Sequence, residues 1–496
     1  MLTTIHIIGI LLTVSLLLVV SILSGRKVKD AHSFTTGGKA GSWMVCGAIL
    51  GTLVGGQSTI GTAQLAFAYG LSAWWFTIGA ALGALVLGVL YAGPLRRSGC
   101  STLMEVVRKQ YGRRAETVGS ILFLVGIFIS ITSQLLSSSA MIGSLFGAST
   151  TVALCIGAVL IAALVLSGGI KSAGAGGIVK LVLLYVSSLA AGIAVWKIGH
   201  GLDGIRESIT TLYETPQLAS LNDIASAEDI HRRYNTFLAR GPLKDLGGCL
   251  SLTLGVVCTQ TYAQAIWSAA STRKARRGAI YCAALIPLIG AACTLVGLYM
   301  RGHYVTTSEL TALQSAGITL PEGIGVIENS LQAFPTFILH HLPAWLGGIA
   351  LGTLLINILG CGSGLVLGAA TILTRDVYGN LLTAMKRTPR LGLLSQTRLS
   401  IIVLLVLGVV VAHFVQGSFI NDLGFLSLGL RAAALLLPLS FALWMPGRFK
   451  PRAVTASMIA GTVVMLAAGL ATLPGDPMYY GLAASAVVLL PNTQKR

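Results

Sequence analysis

Charge is what this sequence has least of. Only 10% of its 496 residues are Asp, Glu, Lys or Arg, where a soluble protein typically carries about a quarter. Acids are the scarcer sign, 16 against 34 basic residues, and none falls well inside an apolar run. There is no phosphate-binding glycine loop, no His/Cys spacing suited to a metal and no nucleophile–base arrangement. An enzyme reading therefore has almost no support. No C-x-x-C occurs either. The eight cysteines are scattered, mostly within apolar stretches, and read as small packing residues rather than a disulfide framework.

What is present is apolar sequence: 54% hydrophobic residues and a mean hydropathy of +0.82. About thirteen runs are long enough to cross a bilayer. An all-α polytopic membrane protein is expected, with residues 1–496 forming one transmembrane domain. The first run, Thr3 to Leu23, precedes Arg26-Lys27-Val28-Lys29. It lacks a positive leading region and a small-residue cleavage site, so residues 3–24 read as a retained helix, not a signal peptide.

A net charge of +18 invites a nucleic-acid partner, but the distribution rejects one. If the runs alternate in direction, Arg96 to Arg114, Arg273 to Arg277, Arg375 to Arg398 and Arg448 to Arg452 all fall on one side. Most acids fall on the other, chiefly between His200 and Asp245. This positive-inside bias sets the N-terminus outside and the C-terminus inside the cytoplasmic membrane. The bilayer and a small-molecule solute are the expected partners.

Within the run from Trp43 to Tyr69, the stretch from Gly51 to Gly61 carries four glycines and four polar residues. Lipid offers no partner to backbone groups freed at a helix break, so such a break is tolerable only inside protein or beside a polar cavity. Broken helices of this kind build central sites in secondary transporters. Close packing through small residues is the alternative. A second run, Gly247 to Trp267, contains Gly255 and Cys258-Thr259-Gln260-Thr261-Tyr262. The two begin two sets of five runs, at 41–199 and 246–445, that enter from opposite sides. That is the pattern of a 5+5 inverted repeat with broken first and sixth core helices and a midplane solute site. Residues 453–490 add C-terminal helices.

Arg431 lies ten residues from Asn421, about 15 Å into its run at helical rise. An arginine near the midplane is costly and functional by default. Its fork suits a carboxylate. The competing reading is structural, with the guanidinium binding backbone carbonyls of the broken helices.

Several stretches together resemble the sodium:solute symporter family of sodium/proline and sodium/sugar symporters. They are Ser58-Thr59-Ile60-Gly61 with Ala68-Tyr69-Gly70, Thr102-Leu103-Met104-Glu105, Gln264 with the Arg273-to-Gly278 turn, and Thr371-Ile372-Leu373-Thr374-Arg375-Asp376-Val377-Tyr378. The resemblance covers about residues 30–445 and implies thirteen helices, a ten-helix inverted-repeat core and coupling to a sodium gradient, with no other cofactor. It places a sodium ion against the carbonyls of Gly51 and Val54 and against Asn357, Gly360 and Cys361. The family usually has two adjacent hydroxyl residues at the last two positions. Gly360 offers no side-chain oxygen and Cys361 a soft sulfur, a poor match for a hard cation. Lys180 stands where sodium-coupled relatives carry polar ligands. It reads either as a resident cation replacing sodium or as a lysine snorkelling to the interface. Family solute positions fall on Leu53, Gly55, Ser58 and Thr77; Gln57, Gln134, Thr259 and Gln260 are polar neighbours.

The expectation is a secondary active transporter of a small organic solute, with a tilt toward one bearing a carboxylate. It is sodium-coupled by resemblance but has a degenerate sodium site. Sodium-independent or proton-coupled transport, and a non-transporting membrane sensor, are the alternatives.

Overall fold

The structure, a computed structural model, describes residues 2–25, 40–168, 177–320, 323–385 and 392–493. It is nearly all helical. The long elements are α1 (Thr4–Gly25), α2 (Ser42–Leu53), α3 (Thr62–Tyr69), α4 (Trp75–Val86), α5 (Leu103–Phe146), α6 (Thr150–Gly168), α7 (Gly177–Ile198), α8 (Pro242–Val257), α9 (Gln260–Ser268), α10 (Thr272–His303), α11 (Ala344–Ile372), α12 (Leu393–Phe414), α13 (Ile420–Trp444), α14 (Pro451–Leu470) and α15 (Pro477–Leu489). Among the described residues, eight helical stretches are long and apolar enough to cross a membrane, and Thr4–Leu16, Ser42–Leu53 and Thr150–Leu166 are shorter apolar helices.

The packing is inverted relative to a soluble protein. Large apolar side chains face outward along α7 (Val182, Val186, Leu189, Ile193, Trp196) and α12 (Ile402, Val406, Val410). Polar ones are buried inside: Gln57, Ser58, Ser133, Gln134, Asn357 and Arg431. An apolar belt of this extent is incompatible with water and matched to lipid. Glycines let the central helices close up. Gly255 of α8 packs on Leu428 of α13, and Gly83 of α4 on Val256 of α8, with no room for a methyl at either.

Both suspected interruptions are real breaks. α2 stops at Leu53; Val54 is extended (φ −93°, ψ 91°), and the chain re-enters a π turn, Gln57–Gly61, before α3. α8 stops at Val257; Thr259 is extended (φ −103°, ψ 123°), and α9 follows.

The basic stretch 93–116 is mostly helix. Thr102 caps the start of α5 by accepting from the Glu105 N–H at 3.0 Å, and Glu105 accepts from the Ser101 N–H at 2.7 Å. The reciprocal capping starts α5 well before the apolar run. A kink at Gly112 (φ 83°) then turns it into the bundle; only glycine takes that conformation without strain. Short helices at Gly201–Leu212, Pro216–Leu221 and Ala227–Tyr234 link α7 to α8, and a parallel strand pair, Tyr304–Thr306 with Gly325–Ile327, follows α10.

Candidate solute site

Groups freed at the first break find protein partners. The Gly56 N–H donates to Gln134 Oε1 of α5 at 3.2 Å. The Val54 carbonyl accepts from Asn357 Nδ2 of α11 at 2.8 Å. The Thr52 carbonyl accepts from Cys361 Sγ at 3.3 Å. Ser58 and Thr59 donate back to the carbonyls of Leu53 and Gly55 at 3.2 and 3.1 Å. Gln57 Nε2 donates to Ser133 Oγ at 2.6 Å. The break is thus held by α5 on one side and α11 on the other, as buried backbone requires.

Gly55 and Gly56 are required there. A methyl on Gly56 would lie 2.3 Å from Ser137 Oγ, and one on Gly55 would lie 2.9 Å from Cys361 Sγ. At Gly56 the Ser137 Cβ is equally close, at 2.3 Å, so rotating the hydroxyl would not relieve the clash.

The second break is joined to Arg431. The residue is 2% exposed. Nη1 donates to Thr259 Oγ1 at 3.2 Å; Nη2 reaches Ser130 Oγ at 2.8 Å, Ser427 Oγ at 2.9 Å and the Gly126 carbonyl at 3.3 Å. The guanidinium lies 5.5 Å from the Phe123 ring centre. One Arg431 therefore ties α13, α5 and the unwound link between α8 and α9. Nε has no partner, and among the described residues no carboxylate lies within ion-pair distance. A charge so placed is costly.

The expected site residues divide. Leu53, Gly55, Gln57, Ser58 and Gln134 meet at the first break. Thr259 and Arg431 meet at the second. Thr77 is turned elsewhere: it bonds the Trp74 carbonyl at 3.1 Å and packs on Gly290 of α10. Gln260 accepts from the Leu103 N–H at 2.8 Å and donates to the Ser101 carbonyl at 3.3 Å, at the start of α5. Gly51 lies on α2, and Gly360 with Asn357 and Cys361 on α11. The side chain of Lys180 lies outside the described residues. Sequence reasoning missed Ser130, Ser133, Ser427 and Gly126; the runs Ser130-Ile131-Thr132-Ser133 and Ser137-Ser138-Ser139 in an apolar helix were the available signal.

Arg240 closes the start of α8 onto α13. Its Nε lies 2.8 Å from Asp245 and its Nη1 2.6 Å from Asp422. Arg301 and Glu309 pair at 3.0 Å nearby in sequence to the strand pair.

Two discontinuous helices, a buried polar layer between them and an apolar exterior define an integral membrane protein of the secondary-transporter class. The sequence profile of the sodium:solute symporter family matches residues 33–464, and the chain belongs to that family. It is 24% identical over 482 residues to an uncharacterised symporter, YwcA, of Bacillus subtilis, covering 94% of this chain and 88% of that one. Over 391 residues it is 24% identical to sodium/glucose cotransporter 1 of Sus scrofa; that match covers 76% of this chain and 57% of the longer cotransporter. In fold it is similar to a sodium-coupled sialic acid symporter solved in a substrate-bound, outward-open state, with a TM-score of 0.71, 17% identity and coverage of 99% of this chain and 97% of that one.

Proposed function

We infer that this chain moves a small, carboxylate-bearing organic solute across the cytoplasmic membrane by alternating access, with the basic face inside. The solute lies between the two breaks, bounded by Gly55, Gln57, Gln134 and Thr259. Residues 41–199 and 246–445 act as the two inverted repeats. One observation carries the choice of solute: Arg431 is a fully buried cation with no carboxylate partner among the described residues and with Nε unused. A solute carboxylate reaching it would neutralise the charge and add a charge-assisted hydrogen bond. The same guanidinium holds Thr259 at the second break, so binding would be felt where the helix is unwound.

The reading is tested by counterflow in proteoliposomes, which needs no assumption about the driving ion. Labelled sialic acid, a sugar with a carboxylate, is compared with labelled glucose. Exchange of the acid and not of glucose is expected. Arg431→Ala should abolish it while the protein stays folded in the membrane. Unimpaired exchange by that variant would refute the role of Arg431.

A further inference from the structure

The family implies a sodium ion held between the first break and α11, and the residues here do not fit one. We propose that this chain has replaced that ion with two of its own hydrogen-bond donors, so that no sodium is held at this break during the cycle. The proposal rests on the transporter reading above and concerns its coupling.

A sodium ion is a hard cation that needs several oxygen ligands converging on one point. Of the two carbonyls the resemblance sets against the ion, that of Val54 is engaged from α11, and so is that of Thr52, next to Gly51. Val54 O accepts the Asn357 amide N–H at 2.8 Å, and Thr52 O accepts the Cys361 thiol at 3.3 Å. Both donors are buried: Asn357 is 1% exposed and Cys361 5%. An amide N–H aimed at a carbonyl oxygen presents positive charge where the ion would sit, and so competes with it directly.

The remaining ligand positions do not compensate. Gly360 has no side chain. Ser363, the nearest hydroxyl along α11, is turned back onto the Gly360 carbonyl at 2.8 Å. Space is short as well, because Cys361 Sγ lies 2.9 Å from where a Gly55 Cβ would stand. The sulfur fills the volume beside the break, and sulfur is a soft ligand.

The substitution is chemically coherent. Without either an ion or a donor, the Val54 carbonyl would be left buried and unpaired, which proteins avoid. Asn357 answers that need permanently, where sodium would answer it reversibly. A donor that arrives and leaves with the gradient can drive a cycle. A donor tethered to α11 cannot.

Equilibrium binding of radiolabelled sodium to the purified full-length chain in lipid nanodiscs tests this without any solute. Wild type is compared with Asn357→Ala and with Cys361→Ala, at constant ionic strength balanced with potassium. Either no saturable sodium binding, or binding unchanged in both variants, is expected. Saturable wild-type binding that either variant weakens by about tenfold (roughly 1.4 kcal/mol) would overturn the proposal. Because no transport is measured, this failure is distinct from failure of the transporter reading: a chain that exchanges no solute would refute the latter and leave this result standing.

Discussion

The amide of Asn357 donates to the carbonyl of Val54 at 2.8 Å, across 303 residues of sequence. Together with the Cys361 thiol on the Thr52 carbonyl, it couples α11 to the first break. Asn357→Leu keeps the volume and removes the donor, leaving a buried carbonyl unpaired. That should cost about 1–3 kcal/mol, read as a lower melting temperature in nanodiscs. Replacing Gln134 with leucine orphans the Gly56 N–H instead and should cost a similar amount. If either variant melts like wild type, the break is not held as described.

The opposite change should create a sodium site. Asn357→Ala removes the resident donor, and Gly360→Ser with Cys361→Ser supplies hydroxyl oxygens. The triple variant should gain sodium-specific stabilisation where wild type shows none. At a sodium concentration ten times the dissociation constant, that is about 1.4 kcal/mol. Melting in sodium chloride against potassium chloride is the measurement.

How far the sequence carried these conclusions differs from residue to residue. Glycines and hydroxyl residues in the middle of an apolar run signalled both breaks, because lipid tolerates neither the lost helix propensity nor the freed backbone groups. Arg431 was legible for the same reason. Its partners were not: Ser130 and Gly126 lie 301 and 305 residues away, and nothing local in the sequence sets such a contact. Asn357 was legible as a residue at the ion position but not as a donor, since an amide carries both functions and only geometry selects one. Gln260 was expected near the solute and instead caps the turn before α5. Its position at the very start of α9 directs it toward Ser101 and Leu103. Helix α5 begins within the basic stretch because the contacts of Thr102 and Glu105 outweigh the polar composition there.

Arg431 should tolerate neither shortening nor exchange for lysine. Lysine keeps the charge but cannot reach Thr259, Ser130 and Ser427 together, as the guanidinium fork does. Counterflow of sialic acid should fall at least tenfold in Arg431→Lys. Gly126→Ala gives an independent test. Its methyl would lie 2.9 Å from Arg431 Cγ, displacing the side chain without altering its charge. A matching loss of exchange in Gly126→Ala is expected.

Acid should weaken the face that carries the strand pair. Glu309 accepts from Arg301 at 3.1 Å, from Asn222 at 3.0 Å and from the Thr306 N–H at 2.8 Å. Burial alone would raise its pKa. The Arg301 charge and these donors outweigh that and hold it below the usual 4.5. A carboxylate with a depressed folded pKa contributes stability that is complete above its unfolded value. That contribution fades as pH falls from about 4.5 through the folded pKa. Melting temperatures measured across this range should drop for wild type. Glu309→Gln should be less stable at neutral pH and should lack that part of the acid dependence. An identical acid slope in the variant would place the titration elsewhere.

Arg240 sits between two acids of unequal burial, and the difference orders three variants. Asp245 is 0% exposed on its side chain, Arg240 3% and Asp422 35%. Arg240→Ala strands a buried carboxylate, and breaking a buried pair this way costs about 3–5 kcal/mol. Arg240→Ala with Asp245→Asn removes the stranded charge and should recover most of that loss. Asp422→Asn touches the wetter partner, where an exposed pair is worth about 0–1 kcal/mol. It should melt close to wild type. Because Asp422 belongs to α13 and Asp245 to α8, the Asp422 bond is also one that parting of these helices would break. Asp422→Asn should therefore speed exchange of labelled solute more than it lowers stability. Stability losses in the reverse order, with Asp422→Asn the most damaging, would refute the assignment of Asp245 as the principal partner.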